Sequence, residues 1–145
     1  MCIINYKKYL RLEVIWRDDD MIELQVLGSN GRYSGITEVY DVKDNLLDFA
    51  MKLDGFPRAN EVLFLSIGAK YGSSYFGLKL YQFDPTGKIA VKVVLEDNKS
   101  TSYGEPQKNK VSLELIVEPA SIDTFQKYLK TLAEREEGFA ELIGI

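Results

Sequence analysis

The side chains in this chain that can do chemistry are mostly carboxylates and phenols. There are 22 Asp and Glu residues and nine tyrosines, but no histidine and one cysteine, Cys2. Without histidine there is no Ser-His-Asp or Cys-His arrangement, no imidazole base near neutral pH and no His ligand for zinc. A single thiol also cannot assemble a structural Cys/His zinc site, so the sequence predicts no metal and no cofactor. What remains is acid chemistry, hydroxyl chemistry or recognition.

Three places concentrate such groups. Asp18-Asp19-Asp20 offers hard oxygen ligands, but an EF-hand loop alternates its acids over a dozen residues and closes with Glu, which this run does not. It reads as a solvated acidic turn, and as a contact for a basic partner if it has a role. The Gly68–Gly77 stretch contains Lys70, Gly72, Ser73 and Ser74, yet Lys70 precedes Gly72 where a phosphate-binding loop needs GxxxxGK[ST], so a hairpin loop is expected. Glycoside-type chemistry needs two carboxylates held in a cleft. Glu38, Asp41, Glu96 and Glu114 lie on or near predicted strands, where Glu96 and Glu114 alternate with apolar neighbours and so should face solvent. Tyrosines such as Tyr9, Tyr33, Tyr40, Tyr75 and Tyr81 suit strands as readily as a binding surface.

The elements that must hold these groups follow from periodicity. Leu10, Leu12, Val14 and Trp16 alternate with polar residues, which predicts a half-buried strand with Trp16 in the core. Asp18–Asp20 interrupts it, and Ile22, Leu24 and Val26 resume the period of two. Asn30-Gly31 is a strong hairpin turn, so a third strand over Tyr33–Tyr40 should pair back. Leu46, Phe49, Ala50 and Leu53 carry helical spacing, with Asp44 as the expected N-cap and Gly55 as the stop. Strands follow at Glu61–Ile67, Phe76–Leu80, Ile89–Leu95 and Val111–Val117, with Asp84-Pro85-Thr86-Gly87 as a turn. A last helix begins near Pro119 and buries Ile122, Phe125, Leu129, Leu132 and Ala133.

The order β-β-β-α-β-β-β-β-α, joined mostly by hairpins, predicts an α+β fold: a mostly antiparallel sheet with two helices packed on one face. Residues 1–145 are expected to form a single domain, with no linker or internal repeat. The closing Phe139-Ala140-Glu141-Leu142-Ile143-Gly144-Ile145 is apolar for a terminus. It folds back over the core, or Phe139, Leu142, Ile143 and Ile145 form a contact surface.

Charged residues are 28% of the chain and the formal net charge is −4. The scattered Lys and Arg disfavour phosphate-backbone binding, so no nucleic-acid partner is expected. No apolar run is long enough to span a membrane, and the lone cysteine suits a cytoplasmic setting.

Trp16, then Ser29-Asn30-Gly31-Arg32-Tyr33-Ser34-Gly35 leading to Val39-Tyr40, then Leu53-Asp54-Gly55-Phe56-Pro57, Gly87 and Ile122-Asp123-Thr124-Phe125, together resemble a family of small bacterial α+β proteins. That layout is similar to the immunity proteins of polymorphic-toxin systems, of the WapI-immunity type. The shared residues are turn, cap and core positions. The resemblance therefore implies a fold and a toxin-like protein partner, and assigns no site residue.

The expected function is a non-enzymatic protein-binding module of the immunity type. Its candidate contacts are Asp18, Asp19 and Asp20 together with Phe139, Leu142, Ile143 and Ile145. The alternative is a carboxylate- and tyrosine-based enzyme or small-molecule binder. A homodimer joined through the tail is compatible with either.

Overall fold

The structure, a computed structural model, describes residues 7–68, 73–99, 104–105 and 107–145. Cys2, Lys70 and Gly72, named above, lie outside them. The described residues form β1 (Lys8–Arg17), β2 (Ile22–Asn30), β3 (Ser34–Asp41), α1 (Lys43–Leu53), β4 (Leu63–Gly68), β5 (Ser74–Gln82), β6 (Ile89–Asp97), β7 (Lys110–Val117), α2 (Pro119–Arg135) and β8 (Phe139–Ile143). The fold is α+β and every strand pairing is antiparallel, as the order of elements predicts.

The strands divide into two four-stranded sheets, β3-β2-β1-β8 and β4-β5-β6-β7. Each hairpin stays within one sheet, while each helix makes a crossing: α1 leads from β3 to β4 and α2 leads from β7 to β8. The helices pack on each other, and Gln126 Nε2 donates to the Ala50 carbonyl at 3.3 Å. Their apolar stripes join the inner residues of both sheets in one cluster that includes Leu12, Leu24, Leu53, Leu115, Phe125 and Leu142. Burial of this kind is the main stabilising term in a domain of this size.

The sheets meet closely where β2 and β3 have no inward side chains. Gly28 and Gly35 are register partners. A Cβ on Gly35 would lie 2.6 Å from Val111 Cγ1, and one on Gly28 would lie 3.4 Å from Val93 Cγ1. Thr37, fully buried on β3, donates its hydroxyl to the Glu96 carbonyl of β6 at 2.8 Å, which satisfies a polar group inside the seam. Beyond β8, the Ile145 amide donates to the Ile116 carbonyl at 2.8 Å and ties the two sheets together again.

The turns follow their predicted chemistry. Asn30 Oδ1 accepts the amides of Arg32 and Tyr33, and Gly31 has a φ of 90°. Asp84 Oδ1 accepts from the amide and hydroxyl of Thr86, and the Thr86 hydroxyl is the main reason its carboxyl is held below the ordinary range. The N-cap of α1 differs from expectation. Val42 occupies it with no side-chain bond, and Asp44 sits one turn position inside, where the helix dipole favours an acid. α2 starts with Pro119 in its first turn and closes on Glu136, which adopts the left-handed conformation.

Candidate binding face

Along β1 the alternation does not run through unbroken. The register with β2 pairs Val14 with Leu24 and Trp16 with Glu23, so Ile15 is an extra residue on β1. Such a bulge turns every later side chain over. Trp16 is therefore not a core residue: it lies on the outer face of the first sheet, 46% exposed. Its ring meets Tyr40 of β3 edge-to-face, with centroids 6.0 Å apart and planes at 80°.

Register then assembles the outer face row by row. Tyr40, Glu23 and Trp16 form the first row, and Glu38, Gln25, Glu13 and Phe139 the second. Ile36, Leu27, Arg11 and Glu141 form the third, and Ser34, Ser29, Tyr9 and Ile143 the fourth. The four rows carry four carboxylates against one guanidinium. Arg11 reaches Glu141 at 3.0 Å and Glu13 at 3.3 Å and lies 4.0 Å from the centre of the Phe139 ring. Apolar and aromatic residues, Trp16, Tyr40, Ile36, Phe139 and Ile143 among them, stand exposed between the charges.

The corner at Trp16 carries one of these carboxylates, Glu23. Glu23 lies on the middle strand between those bearing the two rings, and it forms no ion pair with a described cation. Its charge first, and a hydrogen bond second, hold the Tyr40 phenol above the usual tyrosine range. The acidic turn adjoins this row, since β1 and β2 are joined through Asp18–Asp20. Asp18 Oδ1 accepts the amides of Asp20 and Met21, both at 2.8 Å, and all three acids are exposed. The neighbouring cation, Arg17, is turned to the end of α2, where its Nη1 donates to the Arg135 carbonyl at 2.8 Å.

The tail residues divide between the two roles the sequence left open. β8 pairs with β1, so Leu142 is fully buried and offers no side chain to a partner, whereas Ile143 is 52% exposed on the outer face. Phe139 and Ile145 are also exposed, and Phe139 stacks on Tyr128 of α2 with centroids 6.3 Å apart.

Glu38, Glu96 and Glu114 do not face one another across the strands. Glu38 faces Gln25, Glu114 faces Lys92, and Glu96 lies between Tyr75 and Lys110. Glu96 is also not solvent-facing: it is 3% exposed, with Oε2 buried and unbonded. Burial raises the Asp41 carboxyl, and hydrogen bonds from Asn45 and from the Val42 amide partly offset this. No group of three or more His, Cys, Asp or Glu among the described residues could hold a metal ion. No described helix is long and apolar enough to cross a membrane.

A concavity of about 570 Å³ opens where the fourth row meets the end of β8, lined by Lys7, Lys8, Tyr9, Arg11, Leu27, Glu141 and residues 143–145. Its cations lie at the opposite end of the face from the Trp16 corner.

No protein-family model matches the chain, and neither the curated proteins nor the solved structures contain a match to it.

Proposed function

We propose that this protein is a non-enzymatic protein-binding module that docks a basic protein surface on the outer face of its first sheet, in the manner of an immunity protein covering a toxin. The observation that carries this reading is the composition of that face: exposed aromatic and aliphatic side chains interleaved with an excess of carboxylates. Aromatic anchors supply buried area in protein interfaces, and complementary charge speeds and selects the encounter. The Asp18–Asp20 turn extends the acidic end of the same surface, and Phe139 and Ile143 extend its apolar edge.

The experiment is capture by the tagged protein from lysate of its native cells and from lysates of rival strains, read by mass spectrometry. Ile36→Glu is run beside Ser112→Glu, which lies on the second sheet. The expected result is one stoichiometric basic protein, retained by the second variant and lost by the first. A partner retained equally by both variants removes this face from the reading.

The concavity supports a second reading, a small-molecule binder using Tyr9 and Glu141. A ligand that raises the melting temperature of the wild type but not of Tyr9→Phe or Glu141→Gln would favour it.

A further inference from the structure

We infer that the corner formed by Trp16, Glu23 and Tyr40 is an anchor site for an arginine side chain of the partner, an inference that rests on the protein-binding reading above. The three residues share one transverse row, with Glu23 on the central strand. Adjacent strands lie about 4.8 Å apart, so side chains two strands apart start nearly 10 Å from each other. The two ring centroids are nevertheless 6.0 Å apart, so the rings lean together across the strand that carries Glu23. Both rings are about half exposed, at 46% and 52%, while Glu23 is half-buried.

The charge at this corner is uncompensated. Arg11 is already shared between Glu13 and Glu141, and Arg17 bonds the last carbonyls of α2. Glu23 is paired with neither, and Asp18, Asp19 and Asp20 add negative potential at the rim. A half-buried carboxylate without an ionic partner, framed by two aromatic rings, presents two demands. A guanidinium meets both, since it is planar, stacks on aromatic rings and gives parallel N–H donors to a carboxylate. An ammonium meets only part of them, because it is a strongly hydrated point charge.

Trp16 is the only tryptophan in the chain, so its emission reports this corner alone. The full-length protein is titrated with a blocked octapeptide of alternating Gly and Arg, and with the equally charged Gly-Lys peptide. The expected result is a saturable change in emission, with the arginine peptide bound about five-fold more tightly than the lysine one. Glu23→Gln should weaken the arginine peptide by about five-fold, Tyr40→Leu by about two-fold or more, and Glu114→Gln on the second sheet not at all. Using two corner variants guards against one that fails to fold. Equal affinity for both peptides, unchanged by Glu23→Gln and Tyr40→Leu, overturns the inference. If the peptides leave Trp16 silent while partner capture still requires Ile36, the anchor is refuted and the docking face stands. If the arginine peptide binds at Trp16 but no partner requires Ile36, the corner is a cation site and the docking reading fails.

Discussion

The Glu23 carboxylate acts on the Tyr40 phenol, whose titration can be read separately from any partner. The phenol is held above its ordinary value because ionising it would place a second negative charge beside the Glu23 carboxylate and break the bond between them. The folded state therefore favours the protonated phenol. That contribution is fully present below the unfolded tyrosine pKa and is lost as the pH rises through the higher folded one. Replacing Glu23 with Gln removes the charge, so the Tyr40 midpoint should fall back toward the usual tyrosine range. The measurement is absorbance near 295 nm against pH, with Tyr40→Phe in each background to isolate this phenol among nine. An unchanged midpoint in Glu23→Gln would mean that the two groups are not coupled. The pairing was only partly legible in the sequence. Glu23 and Tyr40 occupy polar-phase positions of alternating strands, but the even spacing of Leu10, Leu12, Val14 and Trp16 placed the tryptophan inside. The inserted Ile15 reverses that phase, and nothing in the run Val14-Ile15-Trp16 signals an extra residue, because a bulge is set by pairing with the neighbouring strand.

β8 shows how one short strand separates structural from surface roles. Ala140 and Leu142 face the core while Phe139 and Ile143 face outward, so adjacent positions should respond very differently to truncation. Leu142→Ala should cost about 2–5 kcal/mol, the usual range for a buried leucine, whereas Ile143→Ala should stay within about 0.5 kcal/mol. Urea unfolding followed by circular dichroism measures both, and equal losses would mean that β8 does not dock as described. The seam between the sheets gives a second contrast. Gly35→Ala puts a methyl 2.6 Å from Val111 Cγ1, on a short branched side chain with little room to yield, and should cost about 1–3 kcal/mol. Restoring room with Gly35→Ala/Val111→Ala should recover part of that loss, and a double variant no more stable than additivity predicts would argue against the contact. The strands and hairpins were legible because period-two alternation and turns such as Asn30-Gly31 and Asp84-Pro85-Thr86-Gly87 act locally. The division into two sheets was not legible, because it depends on which strand each helix delivers the chain to. The cover over Glu96 was hidden for the same reason, since its strand alternates like any solvent-facing one.

At the scale of the whole molecule, the charge is arranged along the face rather than spread evenly. Carboxylates gather at the Trp16 corner and the Asp18–Asp20 turn, while Lys7, Lys8 and Arg11 border the concavity at the other end. On the proposed reading, the formal net charge of −4 favours a basic partner at long range, and the polarity of the face would orient that partner before contact. Steering of this kind acts on encounter more than on the lifetime of the complex. For the partner recovered by capture, the association rate should therefore fall by about ten-fold as salt rises from about 0.05 to about 0.5 M, because the Debye length shrinks from over 10 Å to about 4 Å. The dissociation rate should change much less. Surface plasmon resonance across that salt series separates the two rates. Reversing the corner with Asp18→Lys/Asp20→Lys should flatten the salt dependence of association without unfolding the chain, since both acids are exposed. Asp18 also accepts two turn amides, so Asp19→Lys/Asp20→Lys serves as the version that leaves the turn intact. An association rate indifferent to salt in the wild type would show that the acidic end of the face plays no part in drawing the partner in.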